Sequence, residues 1–370
     1  MSFIEAIKKY ESENIMGLLT SVDDRDIDFV LNKNILTACD FLKLLSPSAF
    51  CRIEDMAVKA RDITLHNFGR AIQLYTPLYV SDFCDNDCIY CGYNAGIKSR
   101  RRKLTIKEVK HAACHISNTG LRHILLLTGD SKKMSPVSYI SDCVEVLKEY
   151  FSSVAVEVYP LSEDEYAGII KSGADSLTVY QETYDRKIYS LVHRRGDKTD
   201  YAFRLEAPER ALRQNIRAVN IGALLGLNDF RVDGFFAGLH AHYLQANFPA
   251  AEISVSVPRI RQTGARFVPE FNVTDADIAQ LVVALRIFLP RVGITLSTRE
   301  SAEFRDNMLA LGITRISAQS ATSVSAWLCE GPPSEALEQF STSDKRTVSD
   351  IKDFLKRKGY QPVFKDWMDI

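Results

Sequence analysis

Cys84, Cys88 and Cys91 stand in the run Cys-Asp-Asn-Asp-Cys-Ile-Tyr-Cys-Gly-Tyr, a C-x3-C-x2-C spacing. A [4Fe–4S] cube has four irons that are normally held by four thiolates. Three thiolates on one short loop therefore leave one iron open to a small molecule, and reactivity belongs at that open corner. A structural zinc site or three unrelated buried thiols are the alternatives. Zinc, however, is usually held by two C-x2-C pairs or by mixed Cys and His ligands. The other cysteines, Cys39, Cys51, Cys114, Cys143 and Cys329, are isolated, and most of them read as small buried hydrophobes.

The elements that must position this loop follow from composition and periodicity. The chain has 370 residues, 46% hydrophobic and 25% charged, ample for a large core and long enough for two average domains or one barrel with additions. A formal charge of −1 gives no general affinity for nucleic acid or anionic membrane. Neither a secretory leader nor a membrane-length apolar run is evident, and eight cysteines without a leader argue against a disulfide scaffold, so a cytoplasmic protein is expected.

Residues 1–70 read as helical, with apolar spacings of three and four in Phe3-Ile4-Ile7 and Leu36-Phe41-Leu44-Leu45. Beyond them, short β-branched runs at 74–80, 123–127, 154–158, 176–180, 218–223, 252–257, 293–296 and 314–318 alternate with helical stretches at 105–119, 136–151, 163–171, 200–215, 275–288 and 303–311. Eight strands alternating with helices predict a parallel sheet closed into a (β/α)8 TIM-type barrel over residues 71–320, with an open doubly wound sheet as the alternative. Residues 321–370 read as a C-terminal appendage with a Gly331-Pro332-Pro333 loop, a polar turn at 341–345 and a helix at 349–358. In a barrel, ligands gather where strands end. Cys84 follows the first strand, Thr128-Gly129-Asp130 the second, Gln181-Glu182 the fourth, Arg259 the sixth and Arg299 the seventh.

The cysteine spacing, with Tyr90 before its last member, resembles the signature of the radical S-adenosylmethionine (SAM) enzymes, whose open iron chelates SAM. The segment from Pro77 to Cys84, then Tyr180-Gln181-Glu182-Thr183-Tyr184, Phe203-Arg204-Leu205-Glu206, Ser256-Val257-Pro258-Arg259 and Leu296-Ser297-Thr298-Arg299 resemble the tyrosine lyases of thiamine biosynthesis, the 2-iminoacetate synthases. Blocks of this kind run from about residue 70 to Lys365-Asp366-Trp367. The tyrosine lyase of hydrogenase maturation shares the Tyr-Gln-Glu-Thr-Tyr run but carries a C-terminal cysteine set for a second cluster. Here only Cys329 lies beyond position 143. The resemblance therefore implies cleavage of the Cα–Cβ bond of L-tyrosine to 2-iminoacetate and p-cresol, with no further step. It also implies a [4Fe–4S] cluster, SAM, a flavodoxin- or ferredoxin-type electron donor, and a thiazole synthase that receives the unstable imine.

Within that resemblance, Cys84, Cys88 and Cys91 are the metal ligands. Asp130 suits the SAM ammonium, where Glu is expected, and Thr128 and Gly129 permit close backbone approach. Glu182 suits the ribose hydroxyls or the ammonium, Arg204 the carboxylate and Tyr90 the adenine, although Glu182 and Arg204 could pair with each other. A buried substrate carboxylate needs a cation. Arg299, beside Ser297 and Thr298, is preferred to Arg259, and an ion pair with a neighbour such as Glu300 is the competing role for either, more so for Arg259. Tyr93, Tyr180 and Tyr184 could face the site or pack in the core, and His193, His240 and His242 are weaker candidate proton donors. The basic run at 98–103 could meet an acidic partner or be a solvated helix entrance. A lyase acting on tryptophan, a non-catalytic iron–sulfur carrier and an assembly subunit are the competing functions.

Overall fold

Apolar runs such as Ile124 to Leu127 are buried on both faces, as strands of a parallel sheet covered by helices must be. The computed structural model describes residues 2–11, 13–261, 267–328 and 336–365. Eight parallel strands follow one another around a ring: β1 (Ala71–Ser81), β2 (His123–Thr128), β3 (Ser153–Glu157), β4 (Ser176–Glu182), β5 (Ala218–Ala223), β6 (Glu252–Ser256), β7 (Gly293–Leu296) and β8 (Arg315–Ser317). The ring closes because β1 pairs with β8 through Gln73 to Tyr75 and with β2 from Thr76 onward. This is the expected barrel rather than the open sheet.

Helices cover its outside. Those at Ile106–Ser117, Glu163–Ser172, Asp275–Phe288 and Val348–Arg357 each begin at a Ser or Thr that forms a reciprocal capping box. Such a cap satisfies backbone N–H groups that the first turn leaves unpaired. The apolar core lies between these helices and the outward faces of the strands, with Val109, Leu126, Ile140, Ile169 and Val282 among its members. The inward positions are more polar: Asn220 donates to Ser256 Oγ at 2.8 Å, and Ser256 also takes the Tyr180 hydroxyl at 3.2 Å. The lumen thus has a polar lining where barrels ordinarily stack branched aliphatic residues.

Two stretches depart from the pattern expected. Residues 200–215 form two helices, Tyr201–Leu205 and Ala207–Arg213, because Pro208 in the first turn of the second has no N–H to continue the first. The 18-residue helix Phe230–Asn247 has no clear polar face, being buried along most of its length, so it lacks the amphipathic period that marks a surface helix.

The N-terminal helices, from Phe3–Glu11 to Ile53–Phe68, dock on the barrel's helical layer, where Gln280 donates to the carbonyls of Leu44 and Ser46 at 3.1 and 2.8 Å. Toward the C-terminus, the turn at 341–345 is held inward. Buried Asp344 pairs with buried Arg305 and with Arg346 at 2.7 Å, and Ser343 N donates to the Thr298 carbonyl at 2.8 Å. A short strand β9 (Gln361–Val363) adds to the start of β1. The Gly331-Pro332-Pro333 loop and Cys329 lie outside the described residues. No helix among the described residues is long and apolar enough to cross a membrane.

Candidate active site at the C-terminal mouth of the barrel

The loop that follows β1 carries Cys88 buried and Cys84 and Cys91 partly so. Its path is set by side chains that bond to its backbone. Arg101, in the middle of the basic run, donates to the carbonyls of Asp82, Tyr93 and Asn94 at 2.7, 2.9 and 2.7 Å, so it is an internal staple rather than a solvated charge. Asn94 donates to the Cys88 carbonyl at 2.9 Å, and Asn86 donates to Asp130 at 2.8 Å, joining this loop to the one after β2. Gly129 is required by that approach, since a Cβ there would stand 2.4 Å from the Phe83 carbonyl oxygen.

His193 supports Tyr90 from below. Its Nδ1 lies 2.9 Å from the Tyr189 carbonyl, which can only accept, so Nε2 is left to accept from the Tyr90 hydroxyl at 2.7 Å. Burial pushes the His193 pKa down to about 3, keeping the ring neutral.

Burial also raises the three thiols, Cys84 to about 12, so that they stay protonated until a metal displaces the proton. Among the described residues no three His, Cys, Asp or Glu side chains converge as a single metal ion would need. A cube makes no such demand, because each thiolate binds a different iron.

A second constellation lies beside the loop. Glu182 ends β4 at a register shift against β5 with φ of 72°, the left-handed region that a non-glycine residue occupies at a cost of order 1–3 kcal/mol. Its carboxylate accepts from Lys198 at 2.6 Å and from Arg204 at 3.4 Å. Burial works against its charge, but Lys198 and Arg204 outweigh burial and hold its pKa below the usual carboxylate range. Arg204 also donates through Nε to the Tyr180 carbonyl at 2.7 Å. The structure therefore draws the Glu182–Arg204 pair weighed from the sequence and adds Lys198, which lies 5.7 Å from the Tyr90 ring centre.

Glu182 and Lys198, with Tyr90, Cys91, Leu224 and Ile260, wall one cleft, and Arg204 stands behind Glu182 outside that wall. A second cleft, lined by Ser256, Ser297, Thr298 and Arg299, descends into the lumen, and the two share Glu157, Tyr180, Pro258, Arg299, Gln339 and Phe340. Arg299 stacks on Phe340, 3.4 Å from its ring centre, and makes no ion pair among the described residues.

Arg259 is not brought to this place. Its guanidinium is committed to Glu300 at 2.9 Å, to Asp275 at 2.5 Å and to the Val273 carbonyl at 3.0 Å, the ion-pair role set against it in the sequence. Tyr93 donates to the Thr322 carbonyl at 2.7 Å and Tyr184 bonds His240 at 3.0 Å beneath the first helix, while His242 stacks on Phe288. Of the three tyrosines, only Tyr180 lines the clefts.

Glu157, Lys198, Gln339 and Phe340 were not singled out from the sequence. Glu157 occupies an inward position of a strand that reads as purely structural. Gln339 and Phe340 come from the stretch after the barrel and border the mouth only through folding.

The donor set fits an iron–sulfur cube and a charged, aromatic-bearing nucleotide: three thiols on one loop, balanced buried charges beside it, an apolar wall containing Tyr90, and a buried Thr128 Oγ1 with no hydrogen-bond partner among the described residues. Residues 78–236 match the Radical SAM superfamily, and residues 256–361 match the Biotin and Thiamin Synthesis associated domain. The crystal structure of HydG, a maturase of the [FeFe]-hydrogenase, superposes with a TM-score of 0.85 at 29% identity, covering 98% of this chain and 79% of that one. Barrel, loop and match together define a radical SAM enzyme, a class that uses a [4Fe–4S] cluster and SAM.

Two relatives narrow the assignment. The chain is 37% identical over 367 residues to the 2-iminoacetate synthase of Escherichia coli (strain K12), and 34% identical over 367 residues to that of Salmonella typhimurium (strain LT2), in each case covering 99% of this chain and 97% of the relative. The chain belongs to the 2-iminoacetate synthase family.

Proposed function

We propose that this chain is a radical SAM carbon–carbon lyase that cleaves the Cα–Cβ bond of L-tyrosine, giving 2-iminoacetate and p-cresol. The observation that carries the proposal is that a cleft beside the cysteine loop shares a wall with a lumen cleft whose guanidinium, on Arg299, is free of any ion pair among the described residues. In this account Cys84, Cys88 and Cys91 hold the cluster. Asp130, Thr128 and Gly129, with Tyr90 and Glu182, surround SAM, and Arg204 braces Glu182. The cluster and SAM, when bound, supply the one-electron chemistry that removes a hydrogen atom from the substrate's amino group.

The chain's own task is positioning. Arg299 takes the tyrosine carboxylate by a charge-assisted, two-point contact, and Ser297 and Thr298 add polar contacts. Phe340 holds the guanidinium plane and, with Gln339, narrows the mouth against water.

Exposed Lys98, Arg100, Lys132, Lys133, Arg194 and Arg195 lie on the segments around the cysteine loop. That charge suits an acidic one-electron donor of the flavodoxin or ferredoxin type. A thiazole synthase that takes the imine before it hydrolyses, a cytoplasmic setting, and a division at residues 70 and 320 into helical extension, barrel and appendage complete the proposal.

The test is an anaerobic incubation of reconstituted protein with SAM, reductant and either tyrosine or tryptophan. Formation of p-cresol with 5′-deoxyadenosine from tyrosine supports the assignment. Turnover of tryptophan with none of tyrosine overturns it.

A further inference from the structure

Glu157 is the one carboxylate in the wall that both clefts share, and Arg299 is the one guanidinium there. It is part-exposed into the cleft and makes no hydrogen bond or ion pair among the described residues. Glu182, whose charge acts on Glu157, is already taken by Lys198 and Arg204. An acidic side chain left without a partner inside a barrel mouth is costly unless a cation joins it. Burial, and then the charge of Glu182, push its pKa up to about 7 against the pull of Arg299, Arg204 and Lys198, so the nearby cations do not fully match its charge.

We propose that Glu157 is the ligand of the substrate's α-ammonium group, so that the amino acid is held as a zwitterion between Glu157 and Arg299. The inference rests on the lumen cleft being the tyrosine site. A zwitterion in a barrel mouth needs both of its charges matched, and among the described residues these two are the opposite charges on the shared wall. The arrangement also has a chemical consequence. The amino group is the one that gives up a hydrogen atom, and Glu157 borders the cleft beside the cysteine loop, so the same contact that binds the nitrogen keeps it at the junction of the two clefts. It also discriminates against aromatic acids that lack the amine, since such an acid would leave Glu157 unmatched beside a second carboxylate.

The experiment is equilibrium dialysis of reconstituted protein with SAM and no reductant, against L-tyrosine and against 3-(4-hydroxyphenyl)propanoate, which lacks only the amine. Wild-type protein is expected to prefer tyrosine, and Glu157→Gln to lose about tenfold to a hundredfold in tyrosine affinity with no loss toward the deamino acid. Glu157→Asp, which keeps the charge, should retain the preference for the amine, and circular dichroism of all three proteins checks the fold. Equal weakening of both ligands in Glu157→Gln, or unchanged tyrosine affinity, overturns the inference alone. Wild-type protein that binds neither ligand overturns the tyrosine assignment and the inference with it.

Discussion

Replacing Glu157 by glutamine should stabilise the protein above neutral pH and leave its stability unchanged in mild acid. The side chain keeps its shape and loses its charge. Glu157 has its pKa moved from 4.5 to about 7, first by burial and then by Glu182. Between those values the folded chain keeps a proton that the unfolded chain has released. Stability attached to this group is therefore fully present below about pH 4.5 and is lost as pH rises through about 7.

At 1.36 kcal/mol per pKa unit the full loss is about 3 kcal/mol, and glutamine never incurs it. In a chain of 370 residues that corresponds to a gain of about 4 °C in melting temperature for the variant near pH 8, shrinking as pH falls and gone below about pH 4. The assay is thermal unfolding of the two reconstituted proteins, without SAM or tyrosine, at one scan rate and several pH values. Asp233, His193 and His240 are also shifted by burial, but they are common to both proteins and cancel in the difference. A variant less stable than wild type at pH 8, or a difference that does not change with pH, would refute the view of Glu157 as an unmatched buried acid. The same substitution should weaken tyrosine binding, an example of stability given up at a binding site.

Arg101→Ala should cost cluster retention more than fold, because it frees three carbonyls on the cysteine loop. Iron per chain should fall while the circular dichroism spectrum holds, and unchanged iron content would remove Arg101 from its role. Arg259 and Arg299 should separate cleanly. Arg259→Ala leaves buried Glu300 with Arg261 alone and should destabilise by about 3 kcal/mol, as loss of a partner in a buried pair does. Arg299→Ala should leave melting temperature nearly unchanged and abolish measurable tyrosine binding by dialysis. The reverse pattern would exchange their roles.

The barrel was legible because fully buried parallel strands must be short β-branched runs, and all eight fall at or within a few residues of the expected positions. Helices with reciprocal caps were legible for a related reason, since Thr105 and Glu108 declare a helix start three residues apart. Phe230–Asn247 was not, because burial along most of its length erases the periodicity that reveals a helix. In the site, the cysteine triplet was plain because its three members share one short loop at the spacing expected of cluster ligands. Glu157 and Lys198 gain meaning only from neighbours distant in the chain: Glu157 from the inward register of β3 opposite Arg299, Lys198 from a turn that brings it against Glu182. Arg259 shows the converse, a residue well placed after its strand whose charge is spent on Glu300 and Asp275.

The most direct measurement of the central claim is the electron paramagnetic resonance spectrum of the reduced, reconstituted protein titrated with SAM, taken with its iron and sulfide content. Four irons and four sulfides per chain are expected from a single cube, with a spectrum that changes on adding SAM and vanishes in Cys88→Ala. A spectrum indifferent to SAM, or a full cube retained by Cys88→Ala, would contradict an open corner held by these three cysteines.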